Sequence, residues 1–526
     1  MTASSASQQN HTRLNATAGQ APVSPRDRGR DWLALGLLMF PVLLVAVDNT
    51  ALTFALPAIA RALDTSGVEL LWIVDAYPLV LAGLLVAMGS LGDRIGRRRL
   101  LIIGSIGFAA VSAATAFAPS AGWLIAGRAA LGFFGAMLMP STLSLIRNIF
   151  PDPNRRRLAI AIWAAGFSGG AALGPIFGGW LVEQFWWGAV LLVAVPIMLP
   201  LLAFGPAFIP ESRDPNPGRV DAPSILLSLL TMVPVVYGIK EYATEGPNPV
   251  ALGSIAFGLA MGAAFVRRQH RLDSPLLDMS LFRNRVFSMA ITANILALFS
   301  FNGFILFLAQ HLQLLEGMSP SAAGVAMIPA LLATVAAGLA VVPLVRKIRP
   351  GFVVGAGLAM SAAGYSLVAF GSHENGPALL LAALLVLALG VGTAETISND
   401  LILGSVPAEK SGAASAISET GYEVGALLGT AVLGSILTAS YQHNLRLPAG
   451  IAEAASGQGA AHAGQTLAGA MELAAGLPAP MADALRQAAG AAFDSGVHVT
   501  AAIGLVLMAT AAVLAAVVLR KVPKAG

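Results

Sequence analysis

The 526-residue chain contains no cysteine, which excludes disulfide scaffolds, thiol nucleophiles and thiolate metal sites together. Charge is almost as scarce: 11% of residues are charged, against about a quarter in soluble globular proteins. The seven histidines, His11, His270, His311, His373, His443, His462 and His498, do not pair at metal-ligand spacing, so no metal is expected. Neither a phosphate-binding P-loop nor a dinucleotide fingerprint occurs, which argues against a bound cofactor and against transport driven by the chain's own ATP hydrolysis. GFSGG at 166–170 imitates a hydrolase nucleophile elbow, but it lies inside an apolar run and is a chance match.

Apolar residues are what the chain has in excess. With 56% hydrophobic residues and a mean hydropathy of +0.75, it holds more apolar surface than one core buries, so lipid is the solvent for most side chains. Apolar runs lie near residues 33–58, 70–90, 100–118, 123–146, 158–181, 187–209, 222–239, 250–266, 286–310, 320–343, 352–371, 377–403, 412–438 and 498–519. None alternates like a barrel strand, so these fourteen spans are expected to be helices, which satisfy their own backbone groups in hydrocarbon.

The basic residues sort by loop. Twenty-six of the 31 fall in alternate loops or the termini, including Arg94, Arg97, Arg98 and Arg99; Arg155, Arg156 and Arg157; and Arg346, Lys347 and Arg349. Only Arg61, Lys240, Arg446 and Arg486 fall in the other loops, and Arg128 is left inside a span. By the positive-inside rule the first set is cytoplasmic, with both termini inside, and the basic composition reports topology rather than nucleic-acid binding. Residues 1–31 are polar and read as a disordered cytoplasmic tail. The long outer segment 440–496 has patches of helical apolar spacing, compatible with a short helical cap or with a mobile loop.

Ionisable residues inside spans are costly and commonly functional. Here they are Asp48 and Asp75 in spans one and two, Arg128 in span four, Glu395 in span twelve, and Glu419 and Glu423 in span thirteen, with Asp400 near the inner end of span twelve. Glu419 and Glu423 stand one turn apart on one face, and two carboxylates so close in low dielectric resist ionising together, which suits a proton carrier. The plainer reading is that such acids pair with polar neighbours and hold helices together. For Arg128, gating of the acids and helix bridging both fit.

Two glycine-bearing motifs are more specific. LGDRIGRRRLL, Leu91 to Leu101, fills the short loop after span two, where Gly92 and Gly96 permit a tight turn. In GGAALGPIFGGW, Gly169 to Trp180, residues Gly170, Gly174 and Gly178 form a bare stripe and Pro175 bends the helix.

Together these resemble the major facilitator superfamily. Gly89, Leu91, Asp93, Arg94, Gly96, Arg97 and Arg98 match its loop signature, Arg128, Gly132 and Gly135 its fourth-helix motif, and Gly170, Gly174, Pro175, Gly178 and Gly179 the fifth-helix motif of its antiporters. The likeness is to the 14-helix drug:proton antiporter family of the QacA, SmvA and LfrA type. It extends over VAVDNTALTFALP, LWIVDAYPLVLAG, MPSTLSLIRNIF and PLLDMSLFRNRVFS, and so over nearly the whole chain. The chain departs from that pattern at Thr334 and Ser418, which stand where acids are expected, and in the additional Glu395 and Asp400.

The resemblance implies an all-α polytopic membrane protein of the major facilitator fold. After the tail, residues 32–210 would form an N-terminal six-helix bundle, 211–275 a linker with inserted helices seven and eight, and 276–526 a C-terminal six-helix bundle carrying the outer loop 440–496. It implies a proton-coupled exporter of lipophilic, mostly cationic drugs, dyes and antiseptics, not an enzyme, working by alternating access as a monomer in the bacterial cytoplasmic membrane. Its partners would be small-molecule substrates, protons and the lipid bilayer. Asp48, Asp75, Glu419 and Glu423 carry over as acids of the substrate and proton pathway. Trp72, Tyr77, Trp163, Phe301 and Tyr422 are candidate aromatics for a cation, though most aromatics in spans only pack. An exporter of a self-made metabolite or lipid would look the same, whereas a membrane enzyme would need an interfacial cluster of reactive polar residues, and none stands out.

Overall fold

The computed structural model describes residues 27–213, 221–272, 275–371, 376–406, 411–448, 451 and 457–523. Among the described residues, thirteen helices are long and apolar enough to cross a membrane; Pro153–Gln184, the helix expected as the fifth span, has 32 residues but is not one of these thirteen. No strand occurs among the described residues.

We label the spans in chain order. The first six are α1 (Asp27–Leu63), α2 (Gly67–Ile95), α3 (Arg97–Thr115), α4 (Ala121–Ile149), α5 (Pro153–Gln184) and α6, broken at Val193 into Ala189–Leu192 and Ala194–Phe208. Next come α7 (Ala222–Glu245) and α8 (Pro249–Gln269). The second set starts with α9 (Arg285–Gln310), α10 (Pro320–Leu344), α11 (Pro350–Ala369) and α12 (Gly376–Gly404). Helix α13 runs Ser411–Leu428, passes through a π turn at Gly429–Leu433 and resumes over Gly434–Asn444. Two short helices follow, α14 (Gly457–Gln465) and α15 (Leu467–Ala475), before the 40-residue α16 (Ala479–Val518).

Two large buried apolar clusters form, one from α1–α6 and one mainly from α9–α13 and α16. Glycine stripes set how closely the helices within each approach. In the first, α5 lies on α1: a Cβ at Gly170 would stand 2.9 Å from Ala46 Cβ, and one at Gly178 2.7 Å from the Ala51 carbonyl oxygen. The second repeats the device at the corresponding pair. Gly421, Gly425 and Gly429 of α13 lie along α9, where a Cβ at Gly425 would come within 2.5 Å of the Ile295 carbonyl oxygen. Lost side-chain packing is offset by backbone contact, the usual route to helix association in lipid.

Helices α7 and α8 pack on each other and bury little else; only 17% and 11% of their apolar windows are buried. Their foot is clamped where Arg268 donates to both carboxylate oxygens of Asp221, at 3.0 and 2.7 Å. Arg268 and a hydrogen bond from Ser224 hold the Asp221 carboxyl below the usual carboxylate range.

Several sequence expectations need adjustment. Of the polar tail 1–31, residues 1–26 lie outside the described residues, while Asp27–Asp31 already belong to α1. There Arg30 donates to the Ala207 carbonyl at 2.6 Å and Arg155 pairs with Asp31 at 3.1 Å. In the outer segment 440–496, residues 449–450 and 452–456 lie outside the described residues, and the rest is largely helical. Thr466 caps α15, and Tyr441 ties the cap down by donating to the carbonyls of Ala463 and Thr466 at 2.9 and 3.2 Å. Lys240, assigned above to an outer loop, lies inside α7 and is 1% exposed. Helix α7 outlasts its apolar run, and an acid on α2 draws the ammonium inward.

Candidate functional site

Asp48 of α1 and Arg128 of α4 meet in the first bundle as a buried ion pair, Nη1 to Oδ2 at 2.6 Å, with 4% and 2% of their side chains exposed. Arg128 Nε donates to the Ile73 carbonyl of α2 at 3.2 Å, and its guanidinium lies 4.7 Å from the Tyr77 ring centroid. One arginine thus bridges three helices. An arginine suits this place because its planar fork serves several acceptors at once and stacks on an aromatic face. The Tyr77 hydroxyl is buried without a hydrogen-bond partner among the described residues.

Asp75 forms a second centre, on the seam between the bundles. Lys240 Nζ of α7 stands 3.0 Å from Asp75 Oδ2, and both side chains are at most 1% exposed. The Thr430 hydroxyl of α13 donates to Asp75 Oδ1. Thr430 belongs to the π turn, a local widening of the helix often found at functional sites, which sets its side chain against α2. Lys240 Nζ also lies 4.0 Å from the Trp72 ring centroid, so the ammonium has a carboxylate beside it and an aromatic face against it. Trp72 in turn walls a groove of about 560 Å³ with Tyr237, Pro234, Val250 and Phe257 between α2, α7 and α8.

The acids of the second bundle are arranged differently. Glu423 is 7% exposed and Glu395 and Glu419 are partly buried, while Asp400 is exposed, as its place near the helix end suggests. Tyr77 lies in electrostatic range of both Asp48 and Glu423, and Tyr422 in range of Glu395 and Glu423. Among the described residues the buried cations go to Asp48 and Asp75, and none stands at ion-pair distance from Glu395, Glu419 or Glu423. Aromatics cross the gap between bundles: Trp163 and Phe167 of α5 stack at 6.3 Å, and Phe167 meets Tyr422 of α13 edge-on at 6.0 Å. Phe301 packs against the core of the second bundle. The Thr334 hydroxyl donates within its own helix to the Ala330 carbonyl at 3.2 Å, and the Ser418 hydroxyl donates to Asn399 Oδ1 of α12 at 2.7 Å.

The motif residues sit at a tight turn and at close helix contacts. Gly96 adopts φ +110°, a conformation that favours glycine, and a Cβ there would stand 2.7 Å from the Glu211 carboxylate. Glu211, which sequence reasoning missed, accepts from the Arg98 backbone amide at 3.0 Å, while the Ser212 carbonyl accepts from the Arg97 amide at 2.9 Å. The loop is therefore pinned to the end of α6. Gly89 faces Pro140 of α4, which a Cβ there would meet only in ordinary contact at 3.8 Å; Arg94 lies in the last turn of α2; the side chain of Asp93 lies outside the described residues. Gly174 admits Thr50, whose hydroxyl donates to the Ala171 carbonyl at 3.1 Å. Pro175 belongs to the seam with the other bundle: its carbonyl oxygen would lie 2.6 Å from a Cβ at Gly324 of α10, and Gly179 abuts Pro320 and Ser321 as closely. Glu183 locks the same seam by accepting from the Ser321 amide and hydroxyl at 2.9 and 2.6 Å.

Two seams, α5–α10 and α2–α13, thus join the bundles at the end away from the arginine-rich loops. At that end Gly434 fits against Leu71 and Gly67 against Thr438.

Comparison with known proteins agrees with this architecture. The family model of the Major Facilitator Superfamily matches residues 38–430. The chain is 53% identical to the multidrug efflux pump LfrA of Mycolicibacterium smegmatis over 95% of its own length and 98% of the relative's. It is 36% identical to the methyl viologen resistance protein SmvA of Salmonella typhimurium, covering 88% and 93% of the two chains. The tetracenomycin C resistance and export protein of Streptomyces glaucescens is 34% identical over 78% of this chain and 76% of that one. Among solved structures, an inward-facing bacterial homologue of the human lysosomal transporter Spinster superposes with a TM-score of 0.60 at 19% identity, covering 96% and 99% of the chains, a likeness of fold. With its long apolar helices, paired bundles and glycine motifs, the chain belongs to the Major Facilitator Superfamily, in the multidrug-efflux family that includes LfrA and SmvA.

Proposed function

We propose that the protein exports lipophilic, mostly cationic compounds of the quaternary ammonium type across the bacterial cytoplasmic membrane in exchange for protons, as a monomer with both termini inside. The observation that carries this reading is the meeting of acids and aromatics between the bundles: Tyr77 lies in electrostatic range of both Asp48 and Glu423, and Trp163, Phe167 and Tyr422 bridge α5 to α13. A planar or quaternary cation finds ring faces and carboxylates there without sacrificing hydrogen bonds.

The roles divide by partner. Asp48 and Asp75 have protein cations to exchange for a substrate cation. Glu419 and Glu423, one turn apart and with no cation at ion-pair distance among the described residues, hold a proton between them until the cation displaces it. Glu395 on the neighbouring helix extends that cluster. Rocking of the bundles about the two seams exposes the site alternately to each side. The driving force is adequate, at about 2.3 kcal/mol per proton per 100 mV and roughly 1.4 kcal/mol per unit of pH difference; one proton supports a tenfold or greater drug gradient.

The test is substrate-triggered proton release in inverted vesicles, with tetraphenylphosphonium as the cation, comparing wild type, Asp48→Asn and Glu423→Gln. Loss of coupled proton flux with Glu423→Gln supports the assignment, and full flux in both variants refutes it. A second reading, export of a self-made compound, is favoured by the likeness to the Streptomyces export protein. A transport profile confined to one endogenous metabolite, with no response to synthetic cations, would establish it instead.

A further inference from the structure

Lys240 is a buried cation on the inserted helix α7, outside both bundles, and export as read above uses it only as the cation that Asp75 gives up. Its ammonium occupies what is chemically an organic-cation site: the Asp75 carboxylate at 3.0 Å, the Trp72 ring at 4.0 Å, and Thr430 bound to the second carboxylate oxygen. Three elements meet there, α2 of the first bundle, α13 of the second and α7 of the insertion.

We propose that Lys240 is a tethered counter-cation that latches the seam between the bundles closed, and that a substrate cation opens the latch by taking its place on Asp75. The Thr430 hydroxyl donates across the seam to a carboxylate, a bond about twice as strong as one between neutral groups. Its strength depends on Asp75 keeping its charge away from water, which the Lys240 ammonium balances. When the bundles rock apart on the α2–α13 side, Asp75 and Thr430 separate. A substrate cation makes this possible by substituting one positive charge for another, so Asp75 is never left alone in low dielectric. The Trp72 face that now holds the ammonium holds the substrate. The inserted pair α7–α8 thereby senses whether the cation site is filled. Selection follows: a neutral compound of the same size does not release the latch.

The absence of cysteine lets a spin-label pair be placed without background. Trp123, near the start of α4, and Phe370, just past α11, sit on different bundles at the end where the seams close, and are 68% and 82% exposed. Trp123→Cys and Phe370→Cys labels in the full chain, reconstituted in lipid nanodiscs, report that separation by electron–electron resonance. Tetraphenylphosphonium and its neutral relative triphenylphosphine oxide are the probes.

Without ligand, Lys240→Met is expected to raise the ratio of wide to narrow separations at least tenfold, and Lys240→Arg is expected to behave as wild type. The double variant Lys240→Met with Asp75→Asn, which leaves no lone buried carboxylate, is expected to open similarly and serves if the single variant fails to fold. In wild type the phosphonium widens the distance and the oxide does not. Unchanged ligand-free distances in the double variant overturn the latch. If the variants open but wild type ignores the phosphonium, the latch stands as the closing device, and the cation-export reading on which the displacement step rests is the part that fails.

Discussion

The contact between Gly324 and the Pro175 carbonyl offers a way to load one conformation selectively. In Gly324→Ala the new Cβ would lie 2.6 Å from the Pro175 oxygen and 2.7 Å from its carbon, both backbone atoms that cannot swing aside. Restoring an ordinary 3.4 Å contact requires α5 and α10 to part by roughly 0.8 Å. Overpacking of this kind costs about 1–3 kcal/mol. The contact joins the two bundles at the end away from the arginine-rich loops, so the cost falls on the conformation closed at that end. At about 1.4 kcal/mol per factor of ten, the equilibrium shifts toward opening there by roughly 5- to 150-fold. Gly174→Ala is the control: its Cβ collides with Thr50 inside the first bundle, a contact that rocking does not break. Labelling of a single cysteine introduced in the α5–α10 seam, with and without tetraphenylphosphonium, measures opening, and thermal unfolding in detergent measures stability. Gly324→Ala should label faster with little loss of Tm, whereas Gly174→Ala should lose Tm with little change in labelling. Equal effects of the two on both readouts would refute the assignment of the α5–α10 seam as a moving contact.

Two further outcomes follow from the ion pairs. Arg128→Met leaves Asp48 buried without its cation and should destabilise the first bundle by about 3–5 kcal/mol; adding Asp48→Asn should recover much of the lost Tm, and failure to recover would locate the damage in packing rather than charge. At the foot of α7, Asp221 is held below the usual carboxylate range by Arg268, so its contribution is present above an unfolded value of about 3.9 and is lost as pH falls through the lower folded one. Hydrogen exchange near Asp221, corrected for intrinsic rates, should therefore rise on acidification in wild type, while Asp221→Asn should exchange faster already at neutral pH and show a smaller acid step.

Much of the site could be read from sequence because charge in a span is rare. Asp48, Asp75, Arg128, Glu395, Glu419 and Glu423 each interrupt a long apolar run, and all but Glu395 and Glu419 are buried outright. Residues that look ordinary for their position escaped notice. Lys240 resembles an interfacial lysine at the end of an apolar run, and only the neighbouring α2 shows that its ammonium turns inward. Glu211 resembles a loop acid, yet it fixes the glycine-rich turn 113 residues earlier in the chain. Gly421, Gly425 and Gly429 had the same i, i+4, i+8 spacing as the recognised stripe in α5 and could have been found by looking for its repeat.

By itself the sequence determined the order of the apolar helices, which loops carry the arginines, and which acids lie in lipid-length helices. These are properties of local composition, since each helix satisfies its own backbone and each loop carries its own charge. Tertiary structure alone decided the partners: that Arg128 belongs to Asp48, that Asp75 is shared by Lys240 and Thr430, and that Pro175 faces Gly324. Such pairings join residues 80 to 355 positions apart. They depend on how side-chain-free stripes let helices approach and which faces then meet, which no window along the chain contains.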